Sequence, residues 1–298
     1  MLTTPTHSLR AGDHVLTFGR VPLVMGVLNV TPDSFCDGGQ FRSVDDAERH
    51  AHAMANAGAA IVDVGGESTR PGSRGISEQE EVDRVAPIVD ALVRGSERSA
   101  PLTIPVSIDT RKAGVARAAL ASGAQIVNDV TAAPDEEMAS VLRDAGDSVP
   151  VVLMHMRGDP ATMQNEPHYG NVVTEVREYL RERAEALAAS GIQRSRIVVD
   201  PGIGFGKRLE DNLDLLKNID VLKGLGYPVL IGASRKTFIG RLLDAPVEQR
   251  LAGSLAVAAQ CYDAGTEILR VHDVRETVEM LRVLDSIRYP DPWREKGW

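Results

Sequence analysis

Residues 23–30 read LVMGVLNV and residues 59–65 read AAIVDVG, two short apolar runs rich in β-branched side chains. Their apolar character is continuous rather than alternating, which marks strands covered on both faces and therefore paired in parallel. Runs of the same kind recur at Ile104–Thr110, Gln125–Asp129, Pro150–Met156, Arg196–Gly202, Pro228–Ser234 and Glu267–Asp273. Helical patterns lie between them, among them Val44–Ala57, Glu78–Arg94, Val172–Ala189, Glu210–Leu225 and Val274–Ile287. Gly58, Gly123, Gly146, Gly191, Gly226 and Gly265 stand just before a following strand, where a left-handed residue ends a helix. Parallel strands joined by helices require right-handed crossovers, and eight such units predict an α/β fold: a single (β/α)8 TIM barrel. One domain over residues 1–298 is expected. Ser8–Arg20, with a turn at Gly12-Asp13, reads as an N-terminal β-hairpin closing the barrel bottom. An open doubly wound sheet is the alternative that the same alternation permits, but the lack of a composition break favours closure.

Composition narrows the function. The 298 residues are 43% apolar, 25% charged and 4% aromatic, as in globular enzymes and unlike disordered or fibrous chains. Lys plus Arg number 33 against 42 Asp plus Glu, a net charge of -9, which disfavours nucleic acid and anionic membranes as partners. Two cysteines, Cys36 and Cys261, are too few for a disulfide framework or a thiolate metal site. The N-terminus has no apolar leader core and no run approaches a membrane span, so a cytoplasmic location is expected.

In either architecture ligands bind at the carboxyl ends of the strands. Those ends are Asn29, Asp63, Asp109, Asn128-Asp129, His155, Asp200, Ser234 and Arg270/His272. Any one Asp could simply cap the helix that follows it, but so many polar groups on buried strands exceed what capping requires. Asp109, Asn128 and Asp200 offer acceptor oxygens suited to a flat ligand carrying several N–H groups. Lys236, Arg270 and His272 can hold an anion, near the usual phosphate site of this barrel. Arg235 and Lys236 both precede a helix, where their unfavourable interaction with its dipole would be offset by a bound anion. The expected ligand is bipolar, an amine-rich heterocycle with a phosphate end. The glycine-rich stretches 29–39 and 65–75 are long enough to act as lids, with Phe35 and Arg70 as their working side chains. GIGFGK at 202–207 resembles a phosphate loop only superficially. Met154, Met156 and Met163 read as gap-fillers. Any metal would be Mg²⁺ held by phosphate oxygens and one neutral oxygen, for which Asn29 fits.

At this point the motifs resemble those of the dihydropteroate synthase family. LNVTPDSFCDGG at 28–39, AAIVDVGGESTRPG at 59–72, VSIDTR at 106–111 and IVNDV at 126–130 carry the resemblance. So do MHMRG at 154–158, VDPGIGFGK at 199–207, GASRKTFIG at 232–240 and RVHDV at 270–274. The resemblance implies condensation of 7,8-dihydropterin-6-ylmethyl diphosphate with 4-aminobenzoate to 7,8-dihydropteroate and pyrophosphate, with Mg²⁺, in folate biosynthesis. It implies a pterin set of Asp109, Asn128, Asp200, Lys236 and Arg270, and a diphosphate set of Asn29, Arg70, Arg270 and His272. The aminobenzoate set is Phe35, Thr69, Pro71, Phe205, Lys236 and Thr237, where sulfonamides would compete. Asp109, Lys236, Arg270 and His272 are the catalytic candidates, and Asn29 the metal ligand. The resemblance also implies a homodimer, for which the Ala-rich helix near Val247–Tyr262 is a candidate face, although packing on its own barrel explains that helix equally. Thr237 stands where the family often has Ser, and PHYGNVV at 167–173 departs from a commonly more acidic stretch. Competing readings are a methyltetrahydrofolate:corrinoid methyltransferase, a Schiff-base aldolase using Lys236, and a non-catalytic pterin-binding barrel.

Overall fold

The eight apolar runs become strands β3 (Leu23–Asn29), β4 (Ile61–Gly65), β5 (Val106–Asp109), β6 (Ile126–Asp129), β7 (Val151–Met154), β8 (Ile197–Asp200), β9 (Leu230–Ile231) and β10 (Ile268–Val271). They follow a hairpin of β1 (Ser8–Ala11) and β2 (His14–Thr17) in the computed structural model, which describes residues 8–30, 40–68, 75–158, 162–163 and 167–290. The parallel sheet runs β8-β7-β6-β5-β4-β3-β10-β9. A parallel bridge between Val199 and Val229, with the Val199 N–H donating to the Pro228 carbonyl at 2.9 Å, joins its two outer strands and closes the barrel.

Period-two alternation divides each strand between two environments. Val24, Leu28, Val62, Val64, Ile108, Val127, Val199 and Leu269 pack outward against the helices. Met25, Ile61, Ile126, Val152, Val198, Leu230 and Ile268 point inward as an apolar layer, on which Leu9, Ala11, Leu16 and Phe18 of the hairpin sit. The hairpin is antiparallel with Ala11 opposite His14, so the bottom is stoppered as expected. Two residues further along, the inward positions change character: Ile61 gives way to Asp63, Ile126 to Asn128, Val198 to Asp200 and Ile268 to Arg270. The barrel thus carries a polar ring above an apolar floor.

The helices start and stop by local chemistry. Ser77 caps α2 (Glu78–Arg94), Asp135 caps α4 (Glu136–Asp144) and Asn171 caps α5 (Val172–Ala189), each side chain accepting a backbone N–H three residues on. Gly58, Gly123, Gly146, Gly191, Gly226 and Gly265 all have positive φ, the stop signal read from sequence. Three segments differ from expectation. The pattern Glu210–Leu225 is two helices, α6 (Leu209–Lys217) and α7 (Ile219–Lys223), broken at Asn218. There the Asn218 Nδ2 donates to the Asp214 carbonyl at 2.8 Å, competing with the helix for a backbone acceptor. The run Pro228–Ser234 forms a regular strand only over Leu230–Ile231, beyond the bridge at Val229, before turning through Gly232 into α8 (Thr237–Leu243). The Ala-rich stretch begins as a single 3₁₀ turn, Val247–Gln249, and becomes regular only in α9 (Leu251–Asp263). Among the described residues, no helix is long and apolar enough to cross a membrane.

Candidate active site

Arg270 is the centre of the polar ring. Its Nε donates to Asp63 Oδ2 at 2.6 Å and its Nη2 to Asp109 Oδ2 at 2.6 Å, so one guanidinium spans two carboxylates. Asn128 Nδ2 donates to the same Asp63 oxygen at 2.9 Å. The remaining oxygens, Asp63 Oδ1 and Asp109 Oδ1, are buried and accept no hydrogen bond among the described residues. Burial raises the Asp109 carboxyl above its ordinary value; Arg270 opposes this, but Asp63 and Glu81 add repulsion. Desolvation prevails because Arg270, shared between two acids, offsets only part of it. Arg270 itself is raised, because Asp63 and Asp109 outweigh the cost of burying it. Asp200 Oδ1 accepts the Gly202 N–H at 2.7 Å, and burial still pushes its carboxyl up to about 6 against that bond and the charges of Lys236, Lys207 and Arg270. Gly232 leaves space between Arg270 and Asp200, since a Cβ there would lie 3.7 Å from Arg270 Cβ and 3.9 Å from Asp200 Oδ2. The acceptors of β5, β6 and β8 and the cation of β10 therefore share one mouth, as the sequence predicts.

The wall beside Asp200 is built from the loop after β8. Gly202, Gly204 and Gly206 have φ of 67°, 84° and 62°, and a Cβ on Gly202 would fall 2.0 Å from the His155 carbonyl oxygen. This close backbone approach lays the loop on the end of β7. Phe205 then faces Lys236, whose Nζ lies 3.8 Å from the ring centroid, and packs with Val130, Met154 and Met163. Lys207 ties the two loops together: its Nζ is 2.9 Å from His155 Nδ1, 3.0 Å from the Phe205 carbonyl and 3.3 Å from the His155 carbonyl. Burial lowers Lys207 to about 7 and His155 to about 2. Tyr169 donates to the Gly206 carbonyl at 2.7 Å, so the 167–173 stretch buttresses this loop.

On the last units, His272 and Ser234 meet at 3.2 Å through Nδ1 and Oγ. Desolvation first, then Arg270 and Lys236, press the His272 imidazole down to about 4, so it is neutral at pH 7 rather than a standing cation. Arg235 corrects a second expectation. Its Nε and Nη2 pair with Asp273 at 2.8 and 2.5 Å and its N–H donates to Ser254, which leaves Lys236 as the lysine or arginine of that turn set against the mouth. Thr237 is exposed in the first turn of α8. Asp129, by contrast, is spent on the turn after β6: it accepts from Thr131 N, Thr131 Oγ1 and Ala133 N. Phe35, Thr69, Arg70 and Pro71 lie outside the described residues. The described base of the second glycine-rich loop is tied by Glu67, which accepts from Ile76 N at 3.1 Å, and by Lys112, which reaches Glu81 at 2.6 Å.

Asn29 ends β3 beside Gly65, and its Oδ1 and Asp109 Oδ2 lie 3.7 and 3.6 Å from the point a Gly65 Cβ would occupy. No group of three His, Cys, Asp or Glu is clustered among the described residues. That donor set fits a magnesium ion carried largely by phosphate oxygens with one neutral protein oxygen. Asp63, Lys207 and His155 are the contributors to the site that received no role from sequence. Asp63 was visible as a polar residue inside an apolar strand, and Lys207 as the cation ending a glycine-rich run.

Comparison with known proteins agrees with this geometry. Residues 25–272 match the family described as Pterin binding enzyme. The dihydropteroate synthase of Synechocystis sp. is 42% identical over 281 residues, covering 94% of each chain, and that of Escherichia coli K12 is 44% identical over 265 residues, covering 89% of this chain and 91% of its own. Among solved structures, Xanthomonas albilineans dihydropteroate synthase with 4-aminobenzoic acid superposes with a TM-score of 0.87 at 42% identity, covering 95% of this chain and 99% of that one. The same enzyme in complex with 7,8-dihydropteroate gives 0.83 at 40% identity over 95% and 99%. On motifs, barrel and site together, this chain belongs to the dihydropteroate synthase family of pterin-binding enzymes.

Proposed function

We propose that the enzyme condenses 7,8-dihydropterin-6-ylmethyl diphosphate with 4-aminobenzoate, releasing 7,8-dihydropteroate and pyrophosphate. The observation that carries this reading is the buried, unpaired Asp109 Oδ1 standing with Asn128 and Asp200 around Arg270. Buried carboxylate oxygens without donors are costly, and the N–H edge of a pterin supplies donors. In this reading Asp109, Asn128 and Asp200 take the ring edge, while Arg270 and Lys236 flank the ring. Arg70, Arg270, His272 and Asn29 take the diphosphate. Phe35, Thr69, Pro71, Phe205, Lys236 and Thr237 take the aminobenzoate, or a sulfonamide in its place.

The C–O bond at the pterin methylene breaks with its electron pair passing to the diphosphate. Electron release from the dihydropterin ring supports the positive methylene, and the ionised Asp109 at the ring edge stabilises that charge. Arg270, Lys236 and a His272 protonated beside the anion stabilise the departing charge. The loops exclude water that would otherwise capture the methylene. The arylamine nitrogen then forms the C–N bond and loses a proton to the medium. Asn29 would supply the protein's oxygen to a Mg²⁺, which when bound offsets negative charge on the leaving group. Sequestration by the loops orders the two events, with pyrophosphate leaving after ionisation and before C–N formation is complete. Rapid-quench kinetics in which pyrophosphate appears strictly after dihydropteroate would reject that order.

A cytoplasmic homodimer belongs to the same proposal. Leu242 and Leu243 at the end of α8 and Val247 beyond it are exposed, and α9 buries only Ala258, Cys261 and Tyr262, leaving an apolar face suited to a second copy. The deciding experiment is pyrophosphate release with and without 4-aminobenzoate. Sustained turnover requiring both substrates, and lost in Lys236→Ala, is expected; unchanged turnover in that variant removes Lys236 from the site.

A further inference from the structure

We infer that Asp63 is a positioning residue that sets the donor and acceptor pattern of the ring-binding wall, by holding Asn128 Nδ2 and Arg270 Nε on one buried carboxylate oxygen. The argument starts from β4, where alternation turns Asp63 inward above Ile61, with no exposed surface. Asp63 Oδ2 accepts from Asn128 Nδ2 at 2.9 Å and from Arg270 Nε at 2.6 Å. An amide can be turned either way, and its neighbours decide which. Were Asn128 reversed, its carbonyl oxygen would stand at that same short distance from a carboxylate oxygen, two acceptors facing each other in a buried site. Asp63 therefore fixes the turn of the Asn128 amide through one of its two N–H groups and leaves Asn128 Oδ1, which accepts from no described residue, for the ligand.

The consequence is chemical selectivity. With Asn128 presenting a carbonyl, Asp109 an unpaired oxygen and Asp200 a carboxylate, that wall sets three acceptors side by side. A heterocycle whose edge carries an amino group and ring N–H matches it; a ring with a carbonyl in place of the amino group meets acceptor against acceptor. Sites that hydrogen-bond a particular N–H reject analogues lacking it by far more than apolar pockets reject a missing methylene. Asp63 touches no substrate in this account. It acts through Asn128, and through Arg270, whose Nη2 it helps aim at Asp109.

This inference rests on the pterin reading of the site, and the test separates the two. Binding of 6-hydroxymethylpterin and of its 2,4-dioxo counterpart, 6-hydroxymethyllumazine, is measured by calorimetry on wild type, Asp63→Asn and Asp63→Asn with Asn128→Asp. Asp63→Asn keeps the shape but removes the carboxylate charge that holds the Asn128 amide in place. Wild type is expected to prefer the pterin strongly, and Asp63→Asn to lose at least about tenfold of that preference. In the double variant, the Asn128→Asp side chain shows the ring an acceptor whichever way it turns, so the preference returns. If Asp63→Asn weakens both rings equally, or the double variant does not recover selectivity, the positioning role is overturned. A wild type that binds neither ring overturns the pterin reading and this inference with it. Thermal melts establish that each variant folds, and Asp63→Ser provides the same comparison should Asp63→Asn not fold.

Discussion

Replacing Arg270 by lysine keeps a cation but removes the fork that reaches Asp63 and Asp109 at once. We expect kcat/KM to fall by about 10²–10³-fold, roughly 3–4 kcal/mol of transition-state stabilisation, in a steady-state pyrophosphate assay. The carboxylates make a second prediction. Asp200 stands at about 6 because it is buried, and a ring N–H requires its ionised form. Binding of a pterin must lower that value, so it releases protons near pH 6 and weakens as pH falls below about 6. His272, held at about 4, behaves oppositely: a diphosphate raises it, so inorganic pyrophosphate binds with proton uptake near pH 5. Calorimetry in two buffers of different ionisation enthalpy reads both signs, and equal signs would contradict the assignment. At this scale the sequence was legible where chemistry and position coincided, as for Asp109, Asn128, Asp200 and Arg270. It was silent on protonation, because His272 is neutral only through the desolvation and cations that the fold assembles around it. Nor could it separate Arg235 from Lys236, neighbours in the chain of which one is consumed by Asp273.

The loop from Gly202 to Lys207 makes the case for elements. Its three left-handed glycines let the backbone lie against β7, and Gly202→Ala would drive a Cβ onto the His155 carbonyl oxygen at 2.0 Å. That substitution is expected to destabilise the protein by more than about 2 kcal/mol or to displace the loop, observable as a lower denaturant midpoint. Lys207→Met should leave the pterin affinity nearly unchanged while raising KM for 4-aminobenzoate, since Phe205 loses its tether to His155. The unpaired acceptors left behind cost about 1–3 kcal/mol, visible in thermal unfolding. A variant with both KM values unchanged would show that Phe205 holds its place without Lys207. Strands and most helices were readable from hydrophobic period and glycine stops. The exceptions had local causes: Asn218 breaks a continuous pattern by bonding a backbone carbonyl, and β9 is cut short because Gly232 must turn toward α8. Glycine spacing alone could not say whether 202–206 met a phosphate or a neighbouring backbone; the Tyr169 and Lys207 contacts decide it.

At the level of the whole molecule, eight strand-helix units without a composition break favoured a closed barrel, their polar carboxyl ends a polar ring, and Ser8–Arg20 the hairpin beneath. What alternation does not encode is which outer face meets another copy. If the α8–α9 face pairs two chains, Leu243→Asp should shift sedimentation from dimer to monomer while the barrel stays folded; an unchanged sedimentation coefficient would direct the search to another surface. The hairpin has a consequence for traffic. Leu9, Ala11, Leu16 and Phe18 cork one end of the barrel, so among the described residues the polar rim at the other end is the way in. Both substrates enter and both products depart across the same rim. Dihydropteroate lingering there would obstruct the next pterin and the next arylamine alike, making the finished product a natural brake on its own synthesis.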